Sequence, residues 1–148
     1  MIERDALTAL SEESARAVTR PVAPWLPRDE APELRWKDGS EAPRSIGTYL
    51  LVCQSHCGGL DVDPRVPEIA RLLDEASLAH WAAVMIERWI DAGADTRHPW
   101  CLPLAVMLGG DRAVPVLKDA IAQWHRSSRR ALATQALQAI ALLGSDVA

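Results

Sequence analysis

Apolar residues recur along this chain every three or four positions, in short bursts separated by glycine, proline and acidic residues. In "SLAHWAAVMIERWIDAGA", Leu78, Trp81, Ala82, Met85, Trp89 and Ile90 keep the i, i+3/4, i+7/8 spacing that lines one face of a helix. Val66, Ile69, Leu72 and Leu73 repeat it upstream, and Val114, Leu117, Ile121 and Trp124 downstream. The pattern predicts helices near 44–57, 65–75, 78–92, 97–108, 112–126 and 128–143. A further helix over 2–18 has only Leu7, Leu10 and Val18 as apolar positions, so it buries one side. No stretch sustains period-two alternation, so no strand is predicted and the fold class is all-α.

Punctuation residues agree with these limits. Gly58-Gly59 and Gly93 stop helices. Asp63, Ser77 and Asp111 stand where N-caps belong, with Pro64 at the first helical position after Asp63. Pro103 divides two cases. A helix beginning at Thr96 would lose an internal hydrogen bond at Pro103, whereas one beginning near Leu102 would tolerate it.

Residues 21–43 break the rhythm with five prolines and two tryptophans, which rules out a long helix. A disordered linker is one reading. Trp25, Leu26, Leu34 and Trp36 are larger apolar groups than a solvated linker carries, and they favour an ordered, extended arm packed on the helical body. The chain thus divides into a first helix and proline-rich arm, 1–43, and a helical domain, 44–148.

Within that domain the links are short, which sets neighbouring helices antiparallel. Two phrases recur. Leu108-Gly109-Gly110-Asp111 returns as Leu143-Gly144-Ser145-Asp146, and "DPRVPEIARLL" returns as "DRAVPVLKDAI". Offsets of 35 and 48 residues suit irregular helix-pair repeats of the HEAT or armadillo kind, about 40–47 residues long. The expected architecture is a short α-solenoid. Its last repeat breaks off just as a new helix should begin, which points to an array continuing in a longer protein, with a frayed tail as the alternative. In that reading the last helix presents Leu132, Ala136, Ala139 and Leu143 outward, while Leu137 and Ile140 point back toward Ile121 and Trp124.

Charge and composition narrow the functional classes. A net charge of −4 gives no electrostatic footprint for nucleic acid or an anionic membrane. No apolar run is long enough to span a bilayer, and the acidic start "MIERDALTAL" is unlike a signal peptide. Three cysteines make no disulfide framework, so a reducing, cytoplasmic setting is expected.

Candidate chemistry is sparse. Cys53, His56 and Cys57 fall at i, i+3 and i+4, and His98 with Cys101 at i, i+3, residue types and spacings that suit zinc. Cys53 also continues the apolar run from Tyr49, as a small buried hydrophobe would, and that reading is preferred. A thiol nucleophile at Cys57 or Cys101 needs a depressed pKa and an oriented base, which adjacency in sequence does not supply. His125, Arg126, Arg129 and Arg130 cluster at a helix junction; a local electrostatic role suffices, although Arg129 and Arg130 at a helix start could reach a phosphate. Trp81, Trp89 and Trp124 lie on core stripes. Trp25 and Trp36, in the arm, are expected to be partly exposed, as interface tryptophans are.

The order "PELRWKDG", "LLDEASLAHWAAVMIERWIDAGA", "HPWCLPLAVMLGGDRAVPVLKDAIAQW" and "ALQAIALLGSDVA" resembles the MolR-like family of large bacterial proteins, across about residues 25–148. These proteins often pair a WGR domain with a long helical region. The resemblance implies a HEAT-like module and carries over no catalytic residue. Together these readings describe a non-catalytic helical scaffold for protein–protein contact or self-association, with no cofactor. Its candidate contact residues are Trp25, Trp36, Leu132 and Leu143. A nucleic-acid-associated module is the alternative, on the family's link to WGR domains.

Overall fold

The computed structural model describes residues 2–18, 20–27 and 29–143. Seven α-helices follow one another: α1 Arg4–Ala17, α2 Ser45–Gln54, α3 Arg65–Ala70, α4 Glu75–Asp91, α5 Cys101–Gly109, α6 Ala113–Arg126 and α7 Arg130–Leu143. No strand forms among the described residues, so the chain is all-α as its periodicity predicts. Each predicted helix is present, but α2 ends at Gln54, short of Gly58-Gly59, α3 ends at Ala70 rather than near 75, and α5 begins at Cys101 rather than near 97. The second copy of the glycine phrase, Gly144 to Asp146, lies outside the described residues.

The centre of the core is α5. Apart from Met107 every residue of this helix is buried, because "CLPLAVMLG" carries no polar side that solvent could claim. Around it, α4 lies against α5 and α6, and α7 lies against α5 and α6; α1 packs on α2, and α2 on α3. Pro103 is the third residue of α5, so its missing N–H is one of the four that a helix start leaves unbonded in any case. Pro67 and Pro115 hold the same third position in α3 and α6. The echo between "DPRVPEI" and "DRAVPVL" is therefore an echo of helix starts.

The caps differ in detail from expectation. Asp74, not Ser77, caps α4: its carboxylate accepts the Ser77 N–H at 2.9 Å, and the Ser77 hydroxyl donates back to the Asp74 carbonyl. The helix therefore starts three residues early, because an aspartate with extended backbone stood just upstream. Asp111 makes no capping bond; the Ala113 and Val114 N–H groups donate to Gly110 O instead. Gly93 ends α4 as predicted, with Gly93 N–H on Ile90 O and Ala94 N–H on Trp89 O, the paired bonds of a Schellman turn. At the turn between α5 and α6, a Cβ on Gly109 would come 2.5 Å from that of Ala113. Only glycine lets α6 turn back this tightly on α5.

The proline-rich arm is ordered and shares the core. Ala23, Leu26, Leu34, Trp36 and Ala42 are all buried with the helices. Residues 35–41 form a tight turn at Asp38-Gly39, where Gly39 takes a φ of +89°. One isolated bridge joins Arg35 to Glu41 within the arm, and another joins Trp36 to Leu73 in the link between α3 and α4.

Candidate functional site

The fold gives the cysteine and histidine candidates different settings. Cys53 is buried in α2, Cys57 is half-buried beyond its end, and His56 is exposed. Cys101 is enclosed in α5, while the His98 ring lies 5.2 Å from that of Trp25. Among the described residues no group of three or more His, Cys, Asp or Glu side chains is placed to hold a metal ion. Burial pushes all three thiols above the ordinary thiol value, the opposite of what a nucleophile needs.

Around Cys53 the structure instead builds a junction. Gln54, fully buried at the end of α2, donates to Asp61 O at 2.9 Å and Trp100 O at 3.2 Å, and its Oε1 accepts the Asp63 N–H at 3.0 Å. Asp63 in turn accepts the Arg65 N–H and a two-pronged contact from the Arg65 guanidinium. One glutamine thus fastens the end of α2 to the loop before α3 and to the start of α5. The side-chain hydrogen bonds from Arg65 hold the Asp63 carboxyl below its ordinary 3.8, against the opposing effect of burial. A lowered folded pKa means stability that is present above 3.8 and lost as pH falls through the folded value. Asp38, through Ser40 and Arg4, and Asp95, through Arg97, are likewise lowered to about 2. The unfolding midpoint is therefore expected to fall as the pH drops from about 4 toward 2, and Asp63→Asn should flatten part of that fall in a denaturant titration.

The expected contact residues divide. Trp36 was expected to be partly exposed and is 3% exposed, with the Arg4 guanidinium 4.7 Å above its ring. The proline-rich text hid the turn that folds this indole inward. Trp25 is half-buried against His98 and Trp100. Trp81, Trp89 and Trp124 are core residues as their stripes predict. Most of the face assigned to the last helix is reversed: Leu132, Ala136 and Ala139 are buried within the chain and Leu143 is half-buried, while Leu137 is 47% exposed; Ile140, assigned inward, is half-buried against the core. The reversal follows from α7 packing on α5 as well as on α6, so the small residues Ala133, Ala136 and Ala139 meet the crowded centre.

Arg129 does not face outward to an anion. Its guanidinium donates to the carbonyls of Gly93 and Ala94, at the C-terminal end of α4, where a cation is favoured. A broad open groove between α3, α4 and the Gly109-Gly110 turn sets Lys37, Arg71 and Arg112 beside Glu75 and Asp111, so both signs are mixed. A small pocket under the arm, bordered by Leu34, Gly47 and Trp81, measures about 30 Å³, room for one water.

What stands out on the surface is α7. From Ala131 to Leu143 it carries no charged residue. Ala131, Thr134, Leu137, Gln138, Ala141 and Leu142 are all exposed, with Leu142 at 67%. No helix among the described residues is long and apolar enough to cross a membrane. Set beside known proteins, the chain matches no family model, no curated protein and no solved structure.

Proposed function

We propose that this chain is a non-catalytic helical scaffold that takes a protein partner along the outward half of α7. The observation that carries the reading is the thirteen-residue stretch from Ala131 to Leu143, which carries no charge and exposes Leu137 and Leu142. Soluble proteins cover such faces, since the parts of Leu137 and Leu142 left in water forgo about 2–3 kcal/mol of burial. Trp25 and Leu143, both half-buried, stay as lesser contact candidates; Trp36 and Leu132 act within the core. The architecture we favour is a short HEAT-like solenoid, supported by α4 lying on α6 in one layer and α5 on α7 in the other. The MolR-like resemblance, a bacterial source and a cytoplasmic setting belong to the same proposal. Affinity capture with mass spectrometry tests it. A protein retained by the parent chain should be lost from a variant carrying Leu137→Glu and Leu142→Glu; equal retention would refute the assigned face.

A further inference from the structure

Helices α1 and α6 are both 14 residues long, yet they hold to the fold in different ways. α6 buries Ala113, Val114, Leu117, Ala120, Ile121 and Trp124, an apolar stripe along its whole length. α1 buries only Leu7 and Ser11, and its other leucine, Leu10, is 43% exposed. Among the helices α1 packs broadly on α2 alone, whereas α6 lies against α4, α5 and α7. What fastens α1 is mostly polar. The Ser11 and Ser45 hydroxyls meet at 2.9 Å, buried in the seam with α2. Arg4 reaches Asp38, Ser40 and the face of Trp36, with the Arg4 and Asp38 side chains both half exposed. Two further side-chain bonds stay inside the helix: Thr8 donates to Arg4 O and Ser11 to Thr8 O. A hydroxyl or guanidinium that leaves its protein partner recovers hydrogen bonds from water, whereas a leucine loses its burial outright. Leu7 is therefore the one large apolar side chain of α1 whose burial opposes release.

We propose that α1 is a strap that opens by itself, as a unit, while α2 to α7 stay folded. Opening lifts the Arg4 guanidinium from the Trp36 ring and bares the Ser45 hydroxyl, so the arm and the start of α2 gain a surface that the closed form covers. α2 keeps its place through Gln54, whose bonds to Asp61 O and Trp100 O do not involve α1. The centre of the core is untouched, because α5 packs on α4, α6 and α7. Segments with few buried apolar contacts open at a small fraction of the cost of unfolding the whole, and they do so cooperatively when they form one element.

Native-state hydrogen exchange of the full chain, read amide by amide by NMR, tests the strap. Amides of α1 should be protected at least about a hundredfold less than those of α5. Leu7→Ala should lower the protection of α1 by at least about tenfold more. Ile121→Val separates local opening from global unfolding. It should lower protection in α5 and α6 severalfold and leave α1 unchanged, because the opened form keeps every contact of Ile121. A covalent tie gives the converse. In a chain carrying both Ser11→Cys and Ser45→Cys, the two introduced thiols can pass their hydrogens to glutathione disulfide and join across the seam. The tied protein, verified by its mass, should show α1 protection raised toward that of α5, and dithiothreitol should reverse the gain. Parent α1 amides as protected as those of α5, or α1 protection that falls in step with α5 in Ile121→Val, overturns the strap. Tied protein whose α1 still exchanges as early as the parent's also overturns it, since the helix would then be unwinding in place rather than lifting away.

Discussion

Trp36→Ala is expected to lower the stability of the fold by about 3–5 kcal/mol, the range for emptying a buried aromatic site. The indole is almost wholly enclosed, and the backbone around it is tied at three points. Trp36 N–H donates to Ser40 O at 2.8 Å, Lys37 N–H to Leu72 O at 3.2 Å, and Asp74 N–H to Arg35 O at 2.8 Å. Arg4 adds a guanidinium over the ring and an ion pair to Asp38, but that pair is exposed on both sides and contributes little. Ring packing therefore dominates, and Arg4→Ala should cost about 1 kcal/mol or less. Had Trp36 been a surface contact, as its setting among prolines suggests, alanine there would move stability by no more than about 0.5 kcal/mol. Chemical denaturation of Trp36→Ala beside Trp25→Ala decides it. The half-buried Trp25 should show the smaller loss, and near-equal losses would mean the arm is anchored elsewhere.

Gln54→Leu is expected to cost roughly 2–5 kcal/mol although it exchanges a polar core residue for an apolar one of similar size. The amide serves three backbone groups: the carbonyls of Asp61 and Trp100 and the N–H of Asp63. Leucine serves none: the buried Asp63 N–H loses its acceptor, and the carbonyls of Asp61 and Trp100 each lose a donor. Gln54→Glu separates the causes. Its carboxylate can still accept from Asp63 N–H, but its other oxygen faces two carbonyls unless it carries a proton. A carboxyl placed there has its folded pKa raised above the unfolded value, so this variant is penalised at neutral pH and recovers as pH falls toward about 4.3. Denaturation midpoints of the glutamate variant that do not rise on acidification, relative to the parent, would show that Gln54 acts by volume rather than by hydrogen bonding.

Local chemistry along the chain determined the helices. The period-3.6 stripes of Trp81 to Ile90 and Val114 to Trp124 could sit only as helices with one side in the core, and both do. Gly93 stops α4, and the tryptophans on those stripes are buried, because each depends on neighbours within a turn or two. The order of the arm was legible too, since Leu26 and Leu34 are too costly to leave in water.

Facing was a different matter. In α7, alanine and leucine alternate around the helix with little contrast, so "ALATQALQAIALL" names no inward side. The choice fell to α5, whose enclosed surface accepts Ala133, Ala136 and Ala139 and turns Leu137 out. Gln54 shows the same limit from the polar side. An apolar run ending in glutamine says nothing of Trp100, 46 positions on, until the chain closes and the two meet. Helix existence is set by residues close in sequence, whereas which face is buried, and which polar group finds a partner, depends on surfaces that come together only in the folded chain.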